Sequence, residues 1–290
     1  ELRFGPPSEQ MGSELMDGGT GNNTWVGKNS SNFADFIHLR MQYVEDQESF
    51  AYFRSTVHSN SNDRNANDGF YSKADLDSVR MLELMEGSPF GRALLQVVLP
   101  RVHTAIDGFG SPALYRLGGY GLASSDLFNM LFKLQLILAS FQEFEVVDDL
   151  LPPLPAEDLQ KDAGQAKLLR EWDIVEVGAG PGLHAATLVA ALGARSYSIV
   201  DLPTQQALQH KVLVQALGEE VVNRTFAFVP CCRRPVPGSY VLASYDLFIS
   251  TYAFSELDLD SRMVYFYCFI IQSKRGFIID NYEDIHETRR

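Results

Sequence analysis

Cysteine is scarce in this chain: its 290 residues hold three, Cys231, Cys232 and Cys268. The count is odd, two are adjacent, and no CxxC or Cys/His spacing occurs. Neither a disulfide framework nor a metal site is therefore expected. Reduced thiols in a cytoplasmic protein are the simplest reading. Long apolar runs are also lacking. The longest, residues 263–271, falls far short of the ~20 residues that span a bilayer, so no membrane association is expected. Positive charge is in deficit as well. Lys plus Arg number 24 against 37 Asp plus Glu, a formal net charge of −13. An acidic surface repels phosphate backbones, which disfavours a nucleic-acid partner and suits a neutral small molecule. Apolar residues at 46% exclude a fully disordered chain. The length predicts roughly two domains.

Residues 1–32, rich in Gly, Ser and Asn, read as a flexible arm. Residues 33–147 read as a helical domain that caps the substrate side. Phe36, Ile37, Met41, Tyr43, Val44, Phe50 and Tyr52 recur at helical spacing. A polar tract at 58–69 predicts a mobile loop. Helical patterns follow near 74–86 and 89–105, broken by turn residues at 107–112 and 118–121. Ser124 or Ser125 can cap a long apolar helix through Phe144. Residues 148–165, with Pro152, Pro153 and Pro155, read as a linker. In 166–290 short β-branched runs near 172–177, 197–200, 225–229, 247–250 and 277–279 alternate with helices at 183–192, 204–217 and 261–272. That alternation predicts an α/β domain with a parallel sheet.

The stretch that carries chemistry is Glu176-Val177-Gly178-Ala179-Gly180-Pro181-Gly182-Leu183. A buried strand runs into a glycine turn and then into a helix. Glycines allow a tight turn and close approach of a ligand to the backbone. The helix start offers unpaired N–H groups and a positive dipole end. The spacing is G-x-G-x-G, and Leu183 stands where a dinucleotide fingerprint would bring its third glycine one position later. The next strand ends in Asp201, nineteen positions after Gly182. A carboxylate there can accept both hydroxyls of a ribose. Its simpler alternative is to cap the helix that follows.

This turn and acid together resemble the first two motifs of class I S-adenosylmethionine-dependent methyltransferases. The resemblance narrows at Ser198-Ile199-Val200-Asp201-Leu202-Pro203 with Gln205 and Gln206, and at Asp246-Leu247-Phe248-Ile249-Ser250-Thr251-Tyr252-Ala253-Phe254-Ser255-Glu256-Leu257. Both blocks are similar to those of a sugar O-methyltransferase family, as is Gly110-Ser111-Pro112 in the helical half. The resemblance implies a Rossmann-like sheet, S-adenosyl-L-methionine as cofactor, and a sugar or other small-molecule hydroxyl as methyl acceptor. It implies that Gly178, Ala179, Gly180, Gly182, Asp201 and Leu202 bind the cofactor, with Ser250 and Thr251 facing the transfer centre. Glu176 either reaches the cofactor's amino group through water or only braces the turn.

A base must take the proton from the acceptor hydroxyl. Glu256, just after the fourth strand, is the first candidate. His184, expected on the surface of the helix after the turn, and His103, near the turn-rich block, are the others. Class I methyltransferases carry two further strands after the fifth, so the C-terminal hairpin is expected to be missing here. The fifth strand is then an open edge through which two copies could associate. Two rival readings stay open: a non-catalytic methyltransferase-like binding module and a nucleotide-dependent oxidoreductase.

Overall fold

Five parallel strands form the centre of the molecule: β3 (Asp173–Val177), β4 (Ser196–Asp201), β5 (Phe226–Pro230), β6 (Leu247–Thr251) and β7 (Gly276–Ile279). A small antiparallel hairpin, β1 (Leu114–Arg116) and β2 (Leu122–Ser124), precedes them. The computed structural model describes residues 38, 40–54, 80–141, 172–230, 244–251, 253–257 and 259–279. The expected arm at 1–32, the polar loop at 58–69 and the linker at 148–165 lie outside the described residues.

The helices of the N-terminal half include α1 (Gln47–Ala51), α2 (Pro89–Ala93), α3 (Leu99–Asp107) and α4 (Ser125–Phe141), and residues 40–45 and 80–87 are helical too. A π-type turn over Leu94–Val98 joins α2 to α3. Ser124 settles the start of α4: its hydroxyl accepts the Leu127 N–H at 3.0 Å. The expected break at Gly118-Gly119-Tyr120-Gly121 is the loop of the β1–β2 hairpin, closed by Leu117 N–H donating to the Gly121 carbonyl at 2.8 Å. Periodicity did not reveal the hairpin, because its strands have three residues each. Gly110-Ser111-Pro112 has a structural part to play. The Gly110 carbonyl accepts the Arg54 N–H at 2.9 Å, and the Ser111 hydroxyl donates to the Ala51 carbonyl at 2.9 Å. Both contacts fasten residues 51–54 to the turn that follows α3.

The strand order is β5-β4-β3-β6-β7, so the sheet is built outward in both directions from β3. This is the Rossmann-like arrangement that the alternating pattern predicts. The connecting helices are α5 (Leu183–Leu192), α6 (Pro203–Leu217), α7 (Glu219–Thr225), α8 (Ala253–Glu256) and α9 (Leu259–Tyr265), the last extended by a π-type turn at Phe266–Ile270. Side chains alternate across β3. Ile174 joins one apolar cluster with Leu183, Leu188, Ile199 and Ile249, while Val175 and Val177 join another with Phe248, Tyr265 and Phe269.

Helix α5 is mostly apolar, and that explains its place. It packs against helices α3, α4 and α6, so its residues 183–188 are buried, while Ala190 near its end is exposed. Ala185 and Ala186 are fully buried and small enough to let both layers close on it. A larger side chain at either would overpack the layer at a cost of about 1–3 kcal/mol. The first apolar cluster runs without a break from Tyr43 and Phe50 through Leu127 and Leu131 to the sheet.

Candidate cofactor-binding site

The site grows from the carboxyl end of β3. Gly178, Gly180 and Gly182 have φ of 70°, 56° and 89°, left-handed values that side chains tolerate poorly. At Gly178 space is denied too, since an added Cβ would lie 2.1 Å from the Ala253 Cβ. At Gly180 the reverse holds. A Cβ there would meet nothing within 4 Å, so the turn presents bare backbone to open space. The turn is held by Gly178 N–H donating to the Val200 carbonyl at 3.0 Å and Gly182 N–H donating to that of Ala179 at 2.9 Å. Helix α5 begins with no side-chain cap, which leaves its first-turn N–H groups and dipole end for an anion.

Asp201 ends the neighbouring strand and faces the same turn. One carboxylate oxygen accepts the Leu202 N–H at 2.8 Å and the other accepts Gln209 Nε2 at 2.7 Å. Burial pushes its pKa up to about 6, against the pull of those two hydrogen bonds; Glu176 adds to the rise and Arg40 opposes it. The capping alternative is not realised, because α6 is capped at Leu202 without a side-chain bond. Gln209 Nε2 also donates to the Gly180 carbonyl at 2.8 Å, and Gln205 Nε2 donates to the same carbonyl. Gln209 thus ties the acid to the glycine turn, and Gln205, one helical turn earlier, holds the same carbonyl. The Oε1 atoms of both are buried without a partner. Sequence reasoning missed Gln209; its signal was the i, i+4 repeat of Gln205 along α6.

Glu176 lies beneath the turn and is fully buried. His184 Nδ1 is 3.0 Å from its Oε1, and the Tyr197 hydroxyl donates to its Oε2 at 2.7 Å. Both oxygens are therefore engaged inside the protein, the geometry of a brace. The expectation of a surface position for His184 is corrected: it is 3% exposed, because α5 is covered on both faces. Burial, reinforced by the Glu176 carboxylate, raises the Tyr197 pKa well above its ordinary value. Lys133, from α4, extends this buried group; burial lowers its pKa, and Glu176 and Asp126 oppose that.

The remaining candidates fall in different places. Ser250 is buried; its hydroxyl donates to the Val177 carbonyl at 3.2 Å and accepts the Phe254 N–H at 3.1 Å. It links β6 to β3 and anchors the start of α8. Thr251 is half-buried at the end of β6, and Leu202 is half-buried beside Asp201. Ala179 is buried within the turn. Glu256 ends α8, but its side chain lies outside the described residues, as do Tyr252, Cys231 and Cys232. His103 sits on α3 with Nε2 4.0 Å from Asp107 Oδ2, within the helical half. Among the described residues no group of three or more His, Cys, Asp or Glu is placed to hold a metal, and no helix is long and apolar enough to cross a membrane.

The order of strands reverses between β3 and β6, and the glycine turn lies at that point. In open α/β sheets this is where ligands bind. Fold and site together define a Rossmann-like α/β protein with a glycine turn and an acidic residue at the carboxyl end of its parallel sheet. No family model matches the chain, and no curated protein matches it. Solved structures with some likeness include the following three. The methyltransferase domain of bacterial CtHen1-CN is 13% identical over 49% of this chain and 65% of its own, with a TM-score of 0.31. An O-methyltransferase family protein from Burkholderia thailandensis is 10% identical over 67% of this chain and 72% of its own, with a TM-score of 0.23. PigF with SAH is 18% identical over 63% of this chain and 50% of its own, with a TM-score of 0.25. The functional reading therefore rests on the chain's own residues.

Proposed function

We propose that the chain binds S-adenosyl-L-methionine and transfers its methyl group to a hydroxyl of a sugar or another small molecule. The carrying observation is the joint between Asp201 and the glycine turn: one side chain, Gln209, holds both the Asp201 carboxylate and the Gly180 carbonyl. The residues fit the cofactor. The open space over Gly180 admits the methionine portion against the backbone. The uncapped start of α5 suits its carboxylate. Asp201 has acceptor capacity left for ribose hydroxyls, since each oxygen has a second lone pair. The buried, unpartnered Oε1 atoms of Gln205 and Gln209 add two acceptors beside it.

When bound, the cofactor supplies an electrophilic methyl on a sulfonium. The protein's task is alignment and proton removal. Gly178, Gly180 and Gly182 shape the backbone on which the cofactor rests. Glu176, held by His184 and Tyr197, fixes the strand beneath the turn. Glu256, placed by α8 just beyond the end of β6, is the proposed base. The low positive charge of the chain favours an uncharged acceptor.

The test is calorimetric titration with S-adenosylhomocysteine, followed by a labelled-methyl transfer assay on a sugar panel. Micromolar binding that Asp201→Ala weakens by roughly tenfold or more supports the reading, since a charge-assisted hydrogen bond is worth about 1.5–3 kcal/mol. Binding of a nicotinamide dinucleotide instead would overturn it. Binding without transfer to any acceptor would leave a methyltransferase-like binding module.

A further inference from the structure

The three glycines of the turn have three different surroundings. An added Cβ at Gly178 would strike Ala253, and one at Gly182 would lie 3.5 Å from Cα, Cβ and Cγ of Gln209. At Gly180 it would meet open space. Yet the Gly180 carbonyl takes two donors from α6. Gln209 Nε2 donates to it at 2.8 Å, and Gln205 Nε2 donates to it as well. Both glutamines are buried.

The peptide between Gly180 and Pro181 has a carbonyl but no N–H. Gly180 has a φ of 56° and no side chain to restrict the peptide that follows, so contacts from outside the turn decide where this carbonyl points. Held toward α6, it keeps its negative end off the ligand side, just before the uncapped start of α5. Turned outward, it would set a negative dipole end beside the N–H groups that suit a carboxylate. The glutamines hold this arrangement against a local penalty. Each leaves its Oε1 buried without a partner, which an apolar side chain of similar shape would avoid. Gln206, the next residue, gives the contrast. It is buried too, but its Nε2 donates to the Ile199 carbonyl on β4 at 3.3 Å and to the Val229 carbonyl on β5 at 2.6 Å. Gln206 serves the sheet, whereas Gln205 serves the turn.

We propose that Gln205 and Gln209 are positioning residues: they hold the Gly180 carbonyl toward α6 and so keep the ligand side of the turn suited to the carboxylate at the amino-acid end of the cofactor. Gln205 has this one task, and Gln209 adds the link to Asp201. This inference rests on the assignment of the glycine turn and Asp201 to the S-adenosyl cofactor.

The experiment titrates the full chain with two probes, S-adenosylhomocysteine and 5′-methylthioadenosine. The second keeps the adenine, ribose and sulfur but lacks the amino-acid end. The readout is the ratio of the two affinities, in which any loss common to both probes cancels. Gln205→Met should lower that preference for S-adenosylhomocysteine roughly fivefold or more. Its melting temperature should match or exceed that of wild type, because Gln209 still satisfies the Gly180 carbonyl and one orphaned oxygen is gone. Gln205→Asn, whose amide falls one methylene short, should lower the preference likewise, and it decides the matter if Gln205→Met does not fold. Gln206→Met should melt at a lower temperature and keep the wild-type preference. A Gln205 variant with the wild-type preference would overturn the proposal. So would a preference lost equally in Gln206→Met, which would mean a general loosening of α6. Wild-type protein that binds neither probe, or an Asp201→Ala variant that binds 5′-methylthioadenosine normally, would instead overturn the cofactor assignment itself.

Discussion

Asp201 should cost the protein stability in exchange for ligand binding, and Asp201→Asn should separate the two. The carboxylate is drawn into the protein by β4 and faces Glu176, and its pKa rises from an ordinary 3.8 to about 6. The folded state then holds a proton more tightly than the unfolded chain between those values. Stability therefore falls as pH rises from about 4 to about 6, and the deficit persists above that. The rise corresponds to about 3 kcal/mol at most. Asparagine removes the charge yet keeps an acceptor for the Leu202 N–H. Its amide can donate to Gln209 Oε1 if the Gln209 amide turns over, and Gln205 still holds the Gly180 carbonyl. Arg40 loses a counter-charge, which subtracts from the gain. The net expectation is about 1–3 kcal/mol of added stability at pH 7.5, or a few degrees in melting temperature for a chain of this size. Below pH 4 the two proteins should melt together. Affinity for S-adenosylhomocysteine should drop at the same time. The measurement is the difference between the two melting curves across pH 3.5–8, which cancels the other carboxylates. A variant less stable than wild type at pH 7.5, or a difference independent of pH, would refute the reasoning.

Gly178→Ala forces a side chain into a left-handed backbone and onto the Ala253 Cβ, so it should cost about 2–4 kcal/mol in chemical denaturation. Tyr197→Phe leaves Glu176 Oε2 buried without its donor and should cost about 1–3 kcal/mol, with no change in the pH dependence of cofactor binding near pH 6. Glu256→Gln should retain S-adenosylhomocysteine affinity and lose methyl transfer by roughly a hundredfold; full turnover would direct the search for the base to other residues. Among the described residues β7 pairs only with β6, and Ile278 is 43% exposed. Its amides should exchange faster than those of β6 and the chain should self-associate at high concentration; light scattering from a monomer with β7 protected would show a covered edge.

Local chemistry made much of the sheet half readable in the sequence. The expected helix over 183–192 is α5 to the residue, because Gly182 and Gly193 bound a mainly apolar run of helix-forming residues. The five strands fall where β-branched runs lie between turn residues, within one or two positions at each end. The glycine turn and Asp201 were visible for the same reason: each acts through its own backbone or its place at a strand end. The β1–β2 hairpin and the interruption of helices by π-type turns were not visible, since three-residue strands and a single widened turn leave no period to detect.

Other features depended on the packing of distant segments. His184 has the place of a surface residue in a helix that follows a turn, but helices α3 and α4 cover that face and Glu176 takes its ring nitrogen. Gln209 looks like an ordinary helix residue until β4 and the turn bring Asp201 and the Gly180 carbonyl to its amide. Lys211 holds the carbonyls of residues 43 and 44 across more than 160 positions of chain. In the sheet half the sequence alone determined which segments form the strands and the longer helices, because those follow from propensity, capping and apolar period. Only the tertiary structure decided which charges are buried and which partners they meet, because burial and pairing depend on segments that no local pattern connects.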